Sequence, residues 1–523
     1  MTLKSAIAAL VATTCLTCTA SASELTRVVT VPLGAEITGM YMAAGDLFFN
    51  VQHPNSNLPN RFAKATVGVI ANADFAAPSL SVADNDADKH VVRSSLGAYQ
   101  VLIQQGDFGG KMGLISGEAG EIKQSNDPDF NAFLPTDTGK GYLFTNWEDR
   151  PGGMSRVMLN RSPEGIWTAD ESDAKMLDFS SVRGTWVNCF GTMSPWNTPL
   201  SSEELYFDNT ADWNNASFKY AGGPNALEAY LGHFPNPYDY GYIVEITDPT
   251  NGANWVHSRH MCRFSHENAV VMPDRKTVYL SDDGTDVVFF KFDADTPGDM
   301  SAGTLFAARI TQLGDAGADP ASTPLQISWI ELAHGTNEEI TRWVRQYDNI
   351  TRDAFEVGKT SYIPDTDIAI WARGEAADNR VAFLESRKAA KAKGATAEFR
   401  KMEGVNINAK GAMDGSVPYM YMYMAMSSIG KGMSDDKGRI QLSQNKCGVV
   451  YQMKLDANFN TSMMVPVVAG GAYDTSNAAN ACDVAAISNP DNIVVLDNGD
   501  VLIGEDTGKH ENNAMWLWKA SNS

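Results

Sequence analysis

Short apolar stretches separated by tight polar turns recur along most of the chain. In SHENAVVMPDRKTVYLSDD (265–283) two such stretches flank a turn, and NPDNIVVLDNGDVLIGEDTG (489–508) repeats the plan with residues 497–500 as the hairpin turn. GYLFTNWEDRPGGMSRVML (141–159), and PYMYMYMAM followed by CGVVYQMKLD, predict further strand pairs. Repeated short hairpins are typical of β-propeller blades, so the pattern predicts an all-β fold, a six-bladed β-propeller with small helical insertions.

Helical patterns are few. The stretch Asp378–Lys393 is rich in Ala, Lys, Arg and Glu and ends at a glycine, which predicts a helical insertion near residues 378–395. Asn225–Leu231 predicts a short helix, and Ser201–Glu204 fits an N-cap with its first turn. No Pro-rich or Gly/Ser-rich linker divides the chain, so residues 23–523 are expected to form a single domain.

The N-terminal residues have the features of an export signal. Lys4 precedes an apolar stretch, and small residues at 20–22 provide a cleavage site, which predicts a signal peptide over residues 1–22. No twin arginine precedes the apolar stretch. The mature protein is therefore expected in the periplasm or outside the cell. No later stretch is long and apolar enough to span a bilayer.

Acidic residues outnumber basic ones, 63 to 41, for a net charge of −22. This balance argues against nucleic-acid binding, which needs clustered Lys and Arg. Most of these carboxylates are expected on the solvated surface, where they keep the protein soluble. An acidic excess of this size also suits a halotolerant surface or a protein that binds several cations. The expected partners are small molecules, and the protein is expected to be a monomer.

Several acids lie at strand ends or turns, where the loops of a propeller would converge on its central channel. They are Glu148, Glu203, Glu204, Glu267, Asp282, Asp491, Glu505 and Asp506. Carboxylates brought together in a partly dry site repel one another strongly. Cations relieve this repulsion, and calcium prefers an oxygen-rich shell of this kind.

Four cysteines follow the predicted signal peptide, and they allow three complete disulfide pairings. Cys447 and Cys482 flank adjacent strand-like segments and form the favoured pair. Cys189 then has three interpretations: a buried apolar thiol, a disulfide partner of Cys262, or a soft ligand beside carboxylates that suits a transition metal such as iron.

The stretch FRKMEG (399–404) carries two cations and an acid ahead of a glycine. A solvated loop after a basic helix is one interpretation. In the other, Glu403 binds a metal ion while Arg400 or Lys401 contacts an anionic substrate such as a phosphate group. Walker, GxSxG, HExxH and paired CxxC motifs are missing from residues 23–523, which argues against the usual serine hydrolases and zinc ribbons.

Taken together, NVQHP, NWE, NCFGTMSPWNTPLSSEE, RFSHE, FRKMEG and NPDN resemble the motifs of PhoX-type alkaline phosphatases over most of the chain. The resemblance implies an exported propeller phosphatase that releases inorganic phosphate from phosphate esters with bound Fe3+ and Ca2+. It implies iron binding by Cys189, and metal binding by Glu203, Glu204, Glu267, Glu403, Asp491 and Glu505. Glu148 is added to these expected metal ligands by its position at a strand end. Lys401, or Arg400 after a one-residue shift, matches a phosphate-facing arginine.

Two other functions fit a propeller that binds calcium. One is a non-catalytic, calcium-stabilised binding protein, and the other is a calcium-dependent lactonase, because a fold alone does not fix the chemistry. Iron together with calcium would favour the phosphatase, whereas calcium alone would leave both alternatives open.

Overall fold

The computed structural model describes residues 24–251 and 254–520. These residues form mainly β-strands with a few short helices. The predicted signal peptide at residues 1–22 lies outside the described residues. No helix in the described ranges has the length and apolar character needed to cross a bilayer.

Six groups of antiparallel strands make up the β-structure, and we number them as sheets 1 to 6. Sheet 1 pairs Glu36–Ala43, Asp46–Gln52, Thr66–Ile70 and Tyr99–Gln104. Sheet 2 pairs Pro128–Asp137, Lys140–Trp147, Gly153–Arg161 and Trp167–Ala169, with Lys175–Met176 also on the third strand. Sheet 3 pairs Asn188–Met193, Pro199–Glu203, Ile243–Thr247 and Asn254–Ser258.

Sheets 4 and 5 share one nine-stranded sheet. Sheet 4 pairs His266–Val271, Thr277–Asp282, Phe290–Thr296, Asp299–Gln312 and Leu325–Thr336. Sheet 5 pairs Met402–Ile407, Tyr421–Met426, Val449–Lys454 and Met463–Ala469, whose last strand joins the last strand of sheet 4. Sheet 6 pairs Pro490–Val495, Val501–Glu505, Ala514–Lys519, Glu24–Thr30 and Arg93–Ser94, so the N-terminal strand completes the C-terminal sheet.

Two small ribbons and several short helices complete the fold. The ribbons pair Thr285–Val287 with Phe399–Arg400, and Leu114–Gly117 with Gly120–Gln124. The α-helices are Asp86–Lys89, Asp107–Gly110, Gly222–Leu231, Asn337–Arg345, Asp365–Ala372, Arg380–Leu384, Ser386–Ala392 and Ala409–Asp414. The 3-10 helices are Arg61–Ala63, Ser180–Val182, Thr210–Asn214, Pro237–Asp239, Arg259–Met261 and Lys431–Met433.

The first strand of each sheet, here called its inner strand, contacts the inner strands of its two neighbours, and the six contacts close a cycle. Apolar side chains fill the spaces between neighbouring sheets all the way round. Between sheets 1 and 2, for example, the rings of Phe48 and Phe133 stack with their centroids 5.3 Å apart. Sheets that are apolar on both faces must be covered on both faces, and a closed cycle meets this requirement.

Buried asparagines join neighbouring inner strands. Asn268 of sheet 4 donates to the carbonyl of Val405 in sheet 5 and accepts from its amide, both at 2.9 Å. Gly39 of sheet 1 donates to Asn492 Oδ1 at 2.7 Å, and its carbonyl accepts from Asn131 Nδ2 at 2.9 Å. Because buried polar groups need partners, these amides fix how the inner strands lie against each other.

The predicted hairpins are confirmed, and so is the short helix over Asn225–Leu231, which is the end of Gly222–Leu231. The single helix predicted over Asp378–Lys393 is wrong: it divides into Arg380–Leu384 and Ser386–Ala392 at Glu385. The Glu385 carboxylate accepts hydrogen bonds from the hydroxyls of Thr210 and Tyr238, and the backbone there leaves the helical conformation.

The helical turn predicted at Ser201–Glu204 is also wrong. Ser201–Glu203 belong to the strand Pro199–Glu203, which is fully buried between two other strands of sheet 3, and Glu204 follows it directly. A strand with neighbours on both sides gains ladder hydrogen bonds that outweigh the N-capping preference of a serine.

Candidate metal centre

A β-bulge occurs at the same place in each of the six inner strands. In every sheet two inner-strand residues oppose one residue on the second strand, as Cys189 and Phe190 oppose Ser202 in sheet 3. A bulge bends the strand locally and redirects the side chains within it. The first residues inside the six bulges are Gly39, Asp129, Cys189, Glu267, Glu403 and Asp491. We call the five with metal-binding side chains the ligand ring.

The sixth position carries no side chain because none would fit. Gly39 has φ of +59°, and a Cβ there would lie 2.0 Å from the carbonyl oxygen of Asp129. It would also lie 2.3 Å from Asn50 Nδ2. The backbone of Gly39 instead connects three inner strands through the hydrogen bonds to Asn131 and Asn492.

Pairs of acids at the ends of second strands add further carboxylates beside the ligand ring. The pairs are Glu203 with Glu204, Asp282 with Asp283, and Glu505 with Asp506. In each pair the first acid stabilises the fold by pairing with buried donors. Glu203, for instance, accepts backbone N–H bonds from Trp186, Gly241 and Tyr242 at 2.9 to 3.0 Å.

Glu505 and Asp282 have the same role as Glu203. Glu505 accepts from the backbone amides of Ser488 and Ala514 at 2.8 and 2.9 Å and from Trp516 Nε1 at 2.7 Å. Asp282 pairs with Arg387. These three carboxylates satisfy buried donors of the surrounding fold, and the second member of each pair lies toward the ligand ring.

The ligand ring, together with Glu148 and Glu204, forms three overlapping groups of ligand atoms. Asp129, Glu148 and Cys189 form one group, Cys189, Glu204 and Glu267 the second, and Glu267, Glu403 and Asp491 the third; within each group the ligand atoms lie within 4.8 Å of one another. Cys189 and Glu267 each belong to two groups. The set therefore forms one continuous site and not three separate ones.

Cys189 lies between two carboxylates. Its Sγ is 3.2 Å from Asp129 Oδ2 and 3.2 Å from Glu267 Oε2. Cys447 and Cys482 form a disulfide, which confirms the predicted pairing. Cys189 and Cys262 are both free and buried, so the Cys189–Cys262 bridge is excluded.

Burial and mutual repulsion act on the six carboxylates of the three ligand groups. Burial, together with neighbouring acids, raises the pKa of Glu148 and of Glu403 to about 7. The same two causes raise the pKa values of Asp129, Glu204, Glu267 and Asp491 well above the usual range. For Cys189, burial and then Glu267 raise the pKa of the thiol. Folding has thus concentrated groups that cannot all ionise without added positive charge.

Several buried oxygens of the site have no hydrogen-bond partner among the described residues. They include Asp129 Oδ1, Glu267 Oε1 and Asp283 Oδ1. An unpartnered buried carboxylate oxygen is costly unless a cation contacts it. The site therefore fits bound metal ions: carboxylate oxygens suit hard cations such as calcium, and a thiolate suits a transition metal.

Lys401 is the cation in direct contact with the carboxylates. Its Nζ lies 2.9 Å from Glu403 Oε1 and 3.3 Å from Asp283 Oδ2. Although burial opposes it, the charges of Asp283 and Glu403 raise the pKa of Lys401 well above the usual range. Arg400 points elsewhere, with its Nε donating to Ser428 Oγ at 2.9 Å.

A left-handed backbone separates the two cations. Lys401 has φ of +51°, its N–H donates to the Gly284 carbonyl at 2.8 Å, and its carbonyl accepts from the Ser427 amide at 3.0 Å. A positive φ in a non-glycine residue is strained and persists only where surrounding contacts hold it. The positive φ of Lys401 turns the chain between the strands Phe399–Arg400 and Met402–Ile407.

The structure brings together six of the eight residues predicted as metal ligands: Glu148, Cys189, Glu204, Glu267, Glu403 and Asp491. Glu203 and Glu505 lie outside the three ligand groups and bind backbone amides instead. Asp129 and Asp283 belong to the site but were not predicted. The sequence does carry a signal for Asp129, since Pro128-Asp129 begins an inner strand just as Pro490-Asp491 does.

The model of the family described as alkaline phosphatase PhoX matches residues 160–521. PhoX of Pseudomonas fluorescens, solved in complex with vanadate, a transition state analogue, is similar at 16% identity over 95% of this chain and 87% of that one, with a TM-score of 0.54. A Trypanosoma rangeli sialidase matches at 8% identity over 94% of this chain and 56% of that one, with a TM-score of 0.37. No curated protein matches.

The family match, the shared fold and the buried acidic site define a phosphoric ester hydrolase. The chain belongs to the family of PhoX alkaline phosphatases. The resemblance inferred from its motifs is thereby confirmed.

Proposed function

We propose that this chain is an exported, metal-dependent alkaline phosphatase that hydrolyses small phosphate esters and releases inorganic phosphate. The observation that carries the proposal is the continuous buried site in which Cys189 and Glu267 connect three groups of ligand atoms. Lys401, the cation at its edge, provides a contact for an anionic substrate. Membership of the phosphatase family favours this function over the calcium-stabilised binding protein and the lactonase.

In this proposal the bound ions are Fe3+ and Ca2+. The Cys189 thiolate supplies the soft ligand that suits iron, with Asp129, Glu204 or Glu267 completing its shell. The all-oxygen group of Glu267, Glu403 and Asp491 suits calcium. When bound, these ions would neutralise the phosphoryl oxygens and lower the pKa of a nucleophilic oxygen.

Lys401 would bind a phosphoryl oxygen and remain charged at alkaline pH. An ammonium group has three donors, and Asp283 and Glu403 accept two of them. The third remains for the substrate, and the two carboxylates orient it. Because the neighbouring acids raise the pKa of Lys401, its positive charge persists at alkaline pH, where it can stabilise the charge that develops on the phosphoryl group.

The test is phosphate release from p-nitrophenyl phosphate by purified protein at alkaline pH, before and after treatment with a chelator, with elemental analysis of the same samples. We expect activity that chelation abolishes and that calcium and iron together restore. The Glu267→Gln variant should lose both bound metal and activity, because Glu267 belongs to two ligand groups. Full activity in metal-free protein would refute the proposal.

The proposed architecture is a six-bladed β-propeller formed by residues 23–523 as one domain. The closed cycle of inner strands, the six equivalent bulges and the completion of the last sheet by the N-terminal strand support it. We also propose periplasmic or secreted location and a monomeric state. Cleavage near residue 22 in mature protein, measured by intact mass, tests the export signal.

A further inference from the structure

Four basic residues lie close together at one side of the acidic site. Asn489 connects them: its Oδ1 accepts from Lys509 Nζ, and its Nδ2 donates to the carbonyls of Ser427 and Lys446. The next residue, Ser428, accepts from Arg400, and Ser427 donates to the carbonyl of Lys401. A single hydrogen-bonded unit thus holds Arg400, Lys401, Lys446 and Lys509 in one region.

Three of these cations have no acidic partner. Lys401 pairs with Asp283 and Glu403, whereas no described carboxylate lies within 4.0 Å of the charged nitrogens of the other three. Their partners are neutral: Ser428 for Arg400, the Tyr473 ring for Lys446, and Asn489 for Lys509. In a chain with 63 acids and 41 cations, unpaired cations held together are unexpected unless they serve an anion.

The electrostatic effect of the other three cations on Lys509 indicates that they lie near it. Burial lowers the pKa of Lys509, and the charges of Lys401, Arg400 and Lys446 lower it further, against the opposing effect of Asp506. Arg400, Lys446 and Lys509 are each partly exposed, so a solute can reach them. An anion bound among them would relieve the repulsion and accept charge-assisted hydrogen bonds.

We propose that Arg400, Lys446 and Lys509 form a second anion subsite, which binds an anionic group on the leaving-group side of the substrate. The inference rests on the proposed phosphatase function, in which Lys401 and the metal site bind the phosphoryl group to be transferred. The preferred substrates are then phosphate esters that carry a second anionic group, such as a carboxylate or another phosphate. Esters with a neutral leaving group lack this contact.

The test compares binding of non-hydrolysable phosphonates to metal-loaded protein by calorimetry. 3-Phosphonopropanoate and 4-phosphonobutanoate each carry a carboxylate, whereas propylphosphonate and butylphosphonate do not. We expect at least one carboxylate-bearing compound to bind about tenfold more tightly than the alkylphosphonate of the same chain length. A charged hydrogen-bonding contact to the carboxylate would give a difference of this size. The preference should decline as ionic strength rises, because exposed charges are screened.

Two variants locate the preference. Lys509→Gln keeps an N–H donor for Asn489 but removes the charge. In the double variant Lys446→Gln/Lys509→Gln, which keeps Arg400 as the one charged contact, the preference should fall from about tenfold toward one. Lys140→Gln is the matched control, since Lys140 is exposed and lies at the opposite end of the strand that leads to Glu148. It should keep the wild-type preference.

The outcomes separate the two proposals. If the wild-type protein binds both members of each pair equally, or if the double variant keeps the preference, the second subsite is refuted while the phosphatase function stands. If no phosphonate binds to metal-loaded protein, the phosphoryl site itself is refuted and the subsite with it.

Discussion

The Sγ atom of Cys189 lies 3.2 Å from Oε2 of Glu267, although 78 positions separate the two residues in the sequence. Both side chains are buried, and each belongs to two of the three ligand groups. A thiolate beside a carboxylate in a dry site needs a cation to balance the charge. In the proposed function, a soft and a hard ligand of this pair would therefore contact the same metal ion.

Replacing Cys189 with serine should remove the soft ligand with little change in volume. We expect the iron content per chain to fall about tenfold or more, since even the loss of an outer-shell partner has effects of this size, while calcium at the Glu403–Asp491 end is retained. Elemental analysis of purified protein measures both. Cys262→Ser is the control, because Cys262 is the second free, buried thiol among the described residues and lies outside the ligand groups. Unchanged iron in Cys189→Ser would contradict the assignment.

The stability of metal-free protein should fall as pH rises from about 5 to 7.5. Burial and neighbouring acids raise the pKa values of Glu148 and Glu403 to about 7, from 4.5 in the unfolded chain. Between these values the folded state holds protons that the unfolded state has released, so raising pH favours unfolding, by about 1.4 kcal/mol per pKa unit for each group.

Melting temperatures of chelator-treated protein at pH 5.5 and pH 7.5 measure this effect. The melting temperature should be lower at pH 7.5 than at pH 5.5. Added calcium should reduce the difference between the two melting temperatures, because bound cations replace the protons. Glu403→Gln should make the metal-free protein less sensitive to pH. A metal-free protein that is equally stable at both pH values would show that the carboxylates do not titrate as described.

Removing the charge of Lys401 should reduce catalysis. We expect Lys401→Met to lower kcat/KM for p-nitrophenyl phosphate by about 100-fold, the usual effect of losing one donor to a developing oxyanion. Lys401→Arg should retain most activity, since it keeps a cation beside Asp283 and Glu403. Steady-state kinetics on metal-loaded protein provide the measurement, with metal content determined for each variant. Equal activity of the Met and Arg variants would exclude a role for this charge.

Gly39→Ala should destabilise the fold far more than an ordinary glycine substitution. Its Cβ would lie 2.0 Å from the carbonyl oxygen of Asp129, so the inner strands of sheets 1 and 2 must move apart. We expect a loss of about 2 kcal/mol or more in the free energy of unfolding. Gly45→Ala is the matched control, because Gly45 also has a positive φ but has open space around it. Equal losses in a denaturant titration would mean that strain alone, and not the contact with Asp129, sets the cost.

The local sequence was sufficient for much of the strand framework. The turn at residues 497–500 and the alternation around it predicted the hairpin of Pro490–Val495 and Val501–Glu505, because both signals act over a few residues. Where local and long-range preferences conflict, the prediction from sequence was wrong. Ser201 has the side chain of an N-cap residue, but the burial of its strand between two neighbouring strands decided its conformation.

The motifs also identified the type of site, since a cysteine and acids at strand starts led to Cys189, Glu267, Glu403 and Asp491. They could not decide which acid of a neighbouring pair faces the site. Consecutive strand residues point to opposite sides, so Glu203 and Glu204 are equivalent in the sequence until a register is fixed. The register follows from the bulge that contains Cys189, which places Glu204 in the ligand group and turns Glu203 toward the amides of Gly241 and Tyr242.

The sequence by itself thus determined the main hairpins and the residue types of the site, because these depend on local periodicity and composition, and the flanking strands favoured the Cys447–Cys482 pair. Only the tertiary structure decided the membership of the ligand ring, including Asp129 and the vacant position at Gly39. The reason is geometric: six bulges far apart in the sequence meet only when the inner strands close their cycle, and that closure sets which side chains lie within contact of one another.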